Sequence, residues 1–180
     1  MAVALAALGG CATSRPPAPL RGTPGEVTVL VFGAVDCPIA NAYAPELAAI
    51  DRQCGERHVA MWYVYPADSL DAAAVDAHRR DFALAMPFAL DPEHRIVRAV
   101  GATVTPEAAV LRFTGPDRFE VVYLGRIDDQ YAGIGKRRAR SEHHDLRDAI
   151  DAAASGQPIA APRTTAYGCF IEPPRAVTTP

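Results

Sequence analysis

Cys37 is the residue of this 180-residue chain whose surroundings best suit covalent chemistry. It follows an apolar run over residues 27–35, typical of a buried strand, and precedes a helix-like stretch over residues 42–54. A cysteine at such a junction faces the N–H groups and the positive dipole end of the helix, which stabilise thiolate over thiol. The adjacent Asp36 opposes ionisation, so the helix terminus must outweigh it. Since the thiolate is the reactive form, the pattern predicts that Cys37 is a nucleophile.

Three other cysteines occur, at positions 11, 54 and 169. Cys54 ends the predicted helix on its apolar face, which indicates a core thiol. Cys169 lies in a Pro- and Thr-rich segment over residues 157–180, which we expect to be irregular. Cys37, Cys54 and Cys169 allow one disulfide and one odd thiol, and the spacing leaves the pairing of Cys169 with Cys37 or Cys54 open.

The N-terminal residues predict export and a lipid anchor. Residues 1–10 are small and apolar but too few to span a bilayer, and Leu8-Gly9-Gly10-Cys11 looks like a bacterial lipobox. We expect a protein on the periplasmic side of a bacterial cell envelope, attached to the membrane through lipidated Cys11 and a proline-rich tether over residues 11–24. The alternative is an unstructured apolar N-terminus with an incidental cysteine. In an oxidising compartment, disulfides of the other cysteines would persist.

Composition bounds the remaining possibilities. The chain is 49% hydrophobic and 22% charged with a net charge of −3, which fits one globular domain and gives no basic field for nucleic acid. The predicted organisation is a signal and tether segment over 1–25, one domain over 26–155 and a tail over 156–180 that carries Cys169. The five histidines show no ligand spacing, so we expect neither a cofactor nor a resident metal.

The order of predicted elements favours an α/β fold with a central mixed sheet flanked by helices. The first half reads as a parallel βαβ unit, and the second half as an antiparallel hairpin followed by a helix. The strands are expected at 27–35, 58–65, 87–90, 108–113 and 119–124. The helices are expected at 42–54, at 69–84 with Ser69 as N-cap, at about 92–100 with Asp91 as N-cap and Gly101 as stop, and at 141–154.

Four segments in this order resemble exported bacterial redoxins of the thioredoxin-like alkyl-hydroperoxide-reductase/thiol-specific-antioxidant group. They are DCPIAN at 36–41, TPE at 105–107, YLGRIDD at 123–129 and GCFI at 168–171, and the resemblance extends over residues 26–171. It implies a thioredoxin-like fold and thiol–disulfide or peroxide chemistry. The implied partners are a thiol or disulfide protein, or a peroxide, together with an external thiol reductant.

The chain departs from both mechanisms that the resemblance offers. Thioredoxins carry a second cysteine three residues after the first, where this chain has Ala40. Peroxiredoxins carry Thr or Ser three residues before the reactive cysteine, where this chain has Ala34. A distant resolving cysteine would restore the missing half, which makes a reversible Cys37–Cys169 disulfide our leading hypothesis. The alternative for the same pair is a static disulfide that fixes the tail.

The resemblance also suggests roles for three residues near Cys37. Pro106 would follow a cis peptide bond, face Cys37 and shape the substrate groove, or else be a trans proline at a strand edge. Glu107 would line the cleft and move protons, or else be a solvated carboxylate at the start of a strand. Arg126 would hold a thiolate or a substrate carboxylate, or else pair with a neighbouring aspartate.

Two other functions remain open at the level of sequence. Cys37 and Cys169 with one histidine would suit Cu(I), so a copper-binding or metallochaperone module is one alternative. A non-catalytic scaffold that retains the fold without the chemistry is the other. The enzyme hypothesis requires a depressed pKa at Cys37, whereas the scaffold predicts an ordinary thiol.

Overall fold

A computed structural model describes residues 16–174, and its central element is β1 (Val27–Phe32), all six residues of which are buried. β1 pairs in parallel with β2 (Ala60–Tyr65) and antiparallel with β5 (Glu107–Gly115). The outer strands are β3 (Phe88–Leu90), parallel to β2, and β6 (Arg118–Gly125), antiparallel to β5. The order β3-β2-β1-β5-β6 confirms the predicted mixed sheet.

Five α-helices cover the two faces of this sheet: α1 (Pro38–Ala42), α2 (Ala44–Glu56), α3 (Ala72–Asp81), α4 (Arg95–Val100) and α5 (Asp145–Ala154). Val29 and Val31 of β1 share one apolar cluster with residues of α2, α3 and α5. Leu30 and Phe32 share the other cluster with residues of α4. The alternation of side chains along a strand therefore places β1 in two cores at once, which explains why five of its six residues are apolar and the sixth, Thr28, is buried.

The predicted helix over 42–54 occurs as α2, and Tyr43 separates it from the short helix α1, which was not predicted. Pro45 has no N–H to donate to the carbonyl of Asn41, so one continuous helix would lose that bond. The break gives the chain a separate short helix, α1, directly after Cys37.

Three helix starts also differ from the prediction: α5 begins at Asp145 rather than at 141, and at α3 and α4 an aspartate carboxylate accepts N–H groups of the first turn. α3 begins after Asp71 rather than Ser69, because the Asp71 carboxylate accepts the Ala74 N–H at 2.7 Å. Asp91 is not the N-cap of α4, which starts at Arg95. Its carboxylate nevertheless accepts the N–H groups of Ile96 and Val97 at 2.9 Å. These two N–H groups of the first turn therefore have a hydrogen-bond partner, although Asp91 lies outside the helix.

The segment after α5 has more structure than its composition predicts. The Leu124 N–H donates to the Pro162 carbonyl at 3.0 Å, so the chain first runs beside the outer edge of β6. It then forms β9 (Cys169–Phe170), which pairs antiparallel with β4 (Val104–Thr105). We call residues 162–171 the C-terminal strap. A further two-stranded ribbon, also not predicted, joins β7 (Tyr131–Gly133) to β8 (Lys136–Arg137).

At the other end, the described part of the predicted tether is packed. Residues Ala18–Leu20 form a 3-10 helix, and Leu20 is buried in the same apolar cluster as Phe32. The predicted lipobox at Cys11 lies outside the described residues. Within 16–174, no helix is both long and apolar enough to cross a membrane.

Candidate active site

Cys37 is the N-cap residue of α1. Its carbonyl accepts the Asn41 N–H at 3.0 Å, and Pro38 occupies the first helical position, where a missing N–H costs nothing. The residue is 1% exposed. The strand-to-helix junction expected from the sequence is therefore present, with the thiol turned into the protein.

The loop between β4 and β5 meets this thiol. The Thr105–Pro106 peptide bond is cis, as the resemblance implied. The Cys37 Sγ lies 3.0 Å from the Thr105 carbonyl oxygen and donates to it. The Thr105 hydroxyl is buried and, among the described groups, has no hydrogen-bond partner. Cys37 is thus enclosed between the start of α1 and the residue that precedes Pro106.

Cys169 lies against Cys37 although 132 positions separate them in sequence. In the β4–β9 pairing Cys169 is opposite Thr105, and its thiol donates to the Cys37 Sγ across 3.0 Å. Cys169 is exposed. The structure therefore brings together the two cysteines that the hypothesis pairs, as two free thiols in hydrogen-bond contact.

The two thiols differ in acidity. Burial opposes ionisation of Cys37, but contacts that include the Cys169 thiol and the Ala40 N–H outweigh it and hold the pKa of Cys37 below its usual value. The interaction with Cys37, together with burial and the charge of Asp36, raises the pKa of Cys169 to about 11. Cys37 is therefore the more acidic thiol of the pair, and Cys169 is the thiol that retains its proton more strongly.

Cys54 is the contrasting case. It is buried on α2 in the main apolar cluster, and burial raises its pKa to about 11. It takes no part in the contact between Cys37 and Cys169, as the sequence predicted for a core thiol.

A buried polar chain, which the sequence did not reveal, positions the loop before Cys37. Asn41 donates to the Val35 carbonyl at 3.0 Å, and its amide oxygen accepts from His78 Nε2 at 2.8 Å. His78 Nδ1 accepts from the Tyr65 hydroxyl at 2.8 Å. Burial lowers the pKa of His78, so the ring is neutral and can donate at one nitrogen and accept at the other. The only sequence signal was the polar Asn41 in an apolar turn.

A groove of about 480 Å³ opens beside Cys169. Its lining includes Asp36, Asp68, Thr105 and Phe170, whereas Cys37 is not part of it. Phe170 is 84% exposed. The accessible sulfur of the pair is therefore that of Cys169.

Glu107 and Arg126 do not face the groove. Glu107 is buried, and its carboxylate accepts the Thr103 N–H at 2.7 Å, so it is neither a cleft acid–base group nor a solvated carboxylate. Arg126 forms a two-point contact with Asp145, with Nε 2.7 Å from Oδ2. The aspartate is on α5 rather than next to Arg126 in sequence. Both side chains hold elements together, the first at the turn before Pro106 and the second between β6 and α5.

Within residues 16–174, no third metal-binding side chain joins the two thiols. Among the described residues, the one group of three potential ligands is Asp129, Glu142 and His143, whose atoms lie within 4.8 Å. Asp129 already accepts the N–H groups of the other two. In the groove, His94 has Nε2 2.5 Å from the Pro66 carbonyl oxygen, which occupies that nitrogen.

Comparison with known proteins identifies the fold. No protein-family model matches the chain, and no curated protein matches it. A candidate thioredoxin from Neisseria meningitidis is 18% identical with a TM-score of 0.52, over 72% of this chain and 75% of that protein. The chain therefore has a thioredoxin-like fold, as the sequence predicted.

Two other solved structures are more similar in shape. A hypothetical protein from Sinorhizobium meliloti is 23% identical with a TM-score of 0.69, over 83% of this chain and 80% of that protein. An uncharacterized conserved protein from Geobacillus kaustophilus is 19% identical with a TM-score of 0.67, over 82% and 77% of the two chains. At these identities the likeness concerns the fold alone.

Proposed function

We propose that the protein is a thiol–disulfide oxidoreductase that works through a reversible disulfide between Cys37 and Cys169. The observation that carries this proposal is the 3.0 Å contact between the two sulfurs beside cis-Pro106. The thioredoxin-like fold supports it, and so does the opposite acidity of the two thiols. A thiolate next to a protonated partner is the arrangement that disulfide exchange requires.

The net reaction transfers two electrons. In the oxidised protein, one Cys37–Cys169 bond accepts two electrons and two protons from two thiol groups of a partner, which become a disulfide. The reverse reaction reduces a partner disulfide and restores the Cys37–Cys169 bond. Cys37 supplies the thiolate of the pair, and Cys169 supplies the second sulfur that Ala40 cannot provide.

The test uses the full chain with Cys11→Ser, so that Cys11 contributes no thiol. After oxidation by a disulfide reagent, peptide mapping is expected to find Cys37 linked to Cys169. The oxidised protein is expected to oxidise a reduced, unfolded protein catalytically. Cys37→Ser and Cys169→Ser are each expected to lower turnover to the uncatalysed rate.

Cys54→Ala is the matched control, because it removes a buried thiol outside the pair. It is expected to retain turnover. Turnover by Cys37→Ser, or a stable link between Cys54 and Cys169, would contradict the proposal. One equivalent of hydrogen peroxide in place of the disulfide reagent tests peroxide reduction, and a Cu(I) titration of the reduced chain tests the copper-binding alternative.

Export and attachment through Cys11 remain predictions from the sequence. They matter for the proposal because an oxidising compartment would supply the disulfides that re-oxidise Cys37 and Cys169. Cell fractionation of the native protein against Cys11→Ser tests both, since loss of the lipid is expected to move the protein from the membrane to the soluble fraction.

A further inference from the structure

We propose that the external partner forms its mixed disulfide with Cys169, while Cys37 exchanges only with Cys169 inside the protein. This inference rests on the proposed function and reverses the order expected from the sequence, in which Cys37 meets the partner first. It assigns Cys169 as the entry sulfur and the groove beside it as the partner-binding site.

The C-terminal strap closes the route to Cys37. Thr105 pairs with Cys169, and the Ile171 N–H donates to the Thr103 carbonyl at 3.0 Å, so the edge of β4 beside Cys37 is occupied by the chain itself. An extended partner therefore cannot pair along this edge while the strap is in place. Cys37 is correspondingly buried, whereas Cys169 is exposed.

Two glycines show that the strap fits the domain closely. A Cβ atom on Gly168 would lie 2.0 Å from the Thr105 carbonyl oxygen, and one on Gly125 would lie 2.1 Å from Thr164 Oγ1. Only residues without a side chain permit these approaches. Thr164 is also held by its own contacts, because its hydroxyl accepts the Arg126 N–H at 3.0 Å. The strap is therefore packed as an integral part of the fold, and the proposed reaction does not require it to dissociate from β4.

The chemistry follows from which sulfur is accessible. A partner thiolate in the groove attacks Cys169 Sγ of the oxidised pair and forms a new S–S bond, while the Cys37–Cys169 bond breaks and its electron pair leaves with Cys37. A second thiolate of the partner then attacks the partner sulfur and displaces Cys169, which takes up a proton. The partner has lost two electrons as a disulfide, and the pair has gained them.

The acidity of the two thiols suits these roles. A sulfur whose thiolate is stabilised leaves readily, and the Ala40 N–H is one of the groups that lower the pKa of Cys37. Cys169 has a raised pKa, so once displaced it is protonated and does not compete for the new disulfide. If Cys37 instead formed the bond to the partner, it would be a buried nucleophile without access to that partner.

The test traps the first intermediate. The oxidised full chain with Cys11→Ser is mixed with a neutral tripeptide that contains one cysteine, quenched rapidly with acid, alkylated and mapped by mass spectrometry. The tripeptide is expected on Cys169 and the alkyl group on Cys37. The tripeptide on Cys37 would overturn the inference and leave the proposed function intact, whereas absence of any Cys37–Cys169 disulfide at the start would overturn both.

A second measurement does not depend on the transient species. An aromatic disulfide reagent is added to reduced Cys37→Ser, in which Cys169 remains, and to reduced Cys169→Ser, in which Cys37 remains, after circular dichroism has verified that both are folded. Cys169 is expected to react at least about tenfold faster, since local opening must precede the reaction of Cys37. Equal rates, or a faster Cys37, would overturn the inference.

Discussion

Cys37 and Cys169 are in contact, yet the protein holds them in opposite ways. Cys37 caps a helix and follows a strand that belongs to two apolar clusters. It is buried, and contacts with Cys169 and the Ala40 N–H lower its pKa. Cys169 is on a two-residue strand, is exposed, and its pKa is raised. The more acidic sulfur is inaccessible, and the less acidic sulfur is accessible.

The comparison teaches that the two requirements of exchange chemistry, a stabilised thiolate and access to a partner, are met by different residues. In a short motif with two cysteines, one helix turn would supply both. Here Ala40 occupies the second position of such a motif, and a strap from the far end of the chain supplies the missing sulfur. Displacing the strap, removing its thiol and changing the charge beside it test this division separately.

Displacing the strap is expected to have the largest effect. Gly168→Ala places a Cβ atom within 2.0 Å of the Thr105 carbonyl oxygen, so the strap must shift away from β4. Alkylation of Cys37 is expected to accelerate by roughly tenfold to a hundredfold, which corresponds to ~1.4–2.8 kcal/mol of strap docking. Site-resolved mass spectrometry of the reduced protein measures it.

Gly55→Ala is the matched control for that substitution. Nothing lies within 4 Å of a Cβ at Gly55, and alanine favours the helix in which this residue lies. The control is expected to leave alkylation of Cys37 unchanged. An unchanged rate in Gly168→Ala as well would mean that the strap does not protect Cys37.

Removing the thiol of Cys169 is expected to raise the pKa of Cys37. Burial opposes ionisation of Cys37, and the hydrogen bond from Cys169 is the largest of the contributions that oppose burial. Cys169→Ala removes the donor and is expected to raise the pKa by about one to two units, since a hydrogen bond to a charged group contributes ~1.5–3 kcal/mol. The ultraviolet absorbance of the thiolate against pH measures it.

Cys169→Ser retains a hydroxyl that can donate to the thiolate, so its effect on the pKa of Cys37 is expected to be smaller than that of Cys169→Ala. In both variants, the alkylation rate of Cys37 at neutral pH is expected to fall in proportion to the thiolate fraction of Cys37. The rates measured for Gly168→Ala serve to correct for any change in the exposure of Cys37. A pKa of Cys37 in Cys169→Ala equal to that in the native protein would show that the contact with Cys169 does not lower the pKa of Cys37.

The sequence predicts the half of the site that local patterns encode. An apolar run followed by a cysteine, a proline and a helix predicts β1, the helix cap and a lowered pKa at Cys37, because each depends on residues near one another in the chain. The mixed character of the sheet follows from the order of its elements. The short helix α1 did not follow, since Pro45 interrupts a pattern that otherwise continues.

The other half depends on contacts that no local pattern encodes. Residues 162–171 lack periodicity, so neither β9 nor its pairing with β4 could be predicted, and Gly168 gives a signal only when the facing backbone is known. Glu107 and Arg126 were candidate site residues because charged residues next to a site are readily interpreted as functional. Long-range partners, the Thr103 N–H and Asp145, give them structural positions instead.

Changing the charge beside Cys169 is expected to have the smallest effect. Asp36 lies in the groove, is exposed and contributes to the raised pKa of Cys169. Asp36→Asn is expected to speed the reaction of the oxidised pair with the anionic thiol glutathione by about twofold to threefold, and to slow its reaction with the cationic thiol cysteamine. The effect is small because exposed charges act weakly and through solvent.

Stopped-flow measurements at low and high ionic strength test this prediction, since salt should remove the difference in rate. Glu56→Gln is the control, because it makes the same change of charge outside the groove. If Asp36→Asn and Glu56→Gln change both rates alike, only net charge matters, and the partner does not approach through the groove at Cys169.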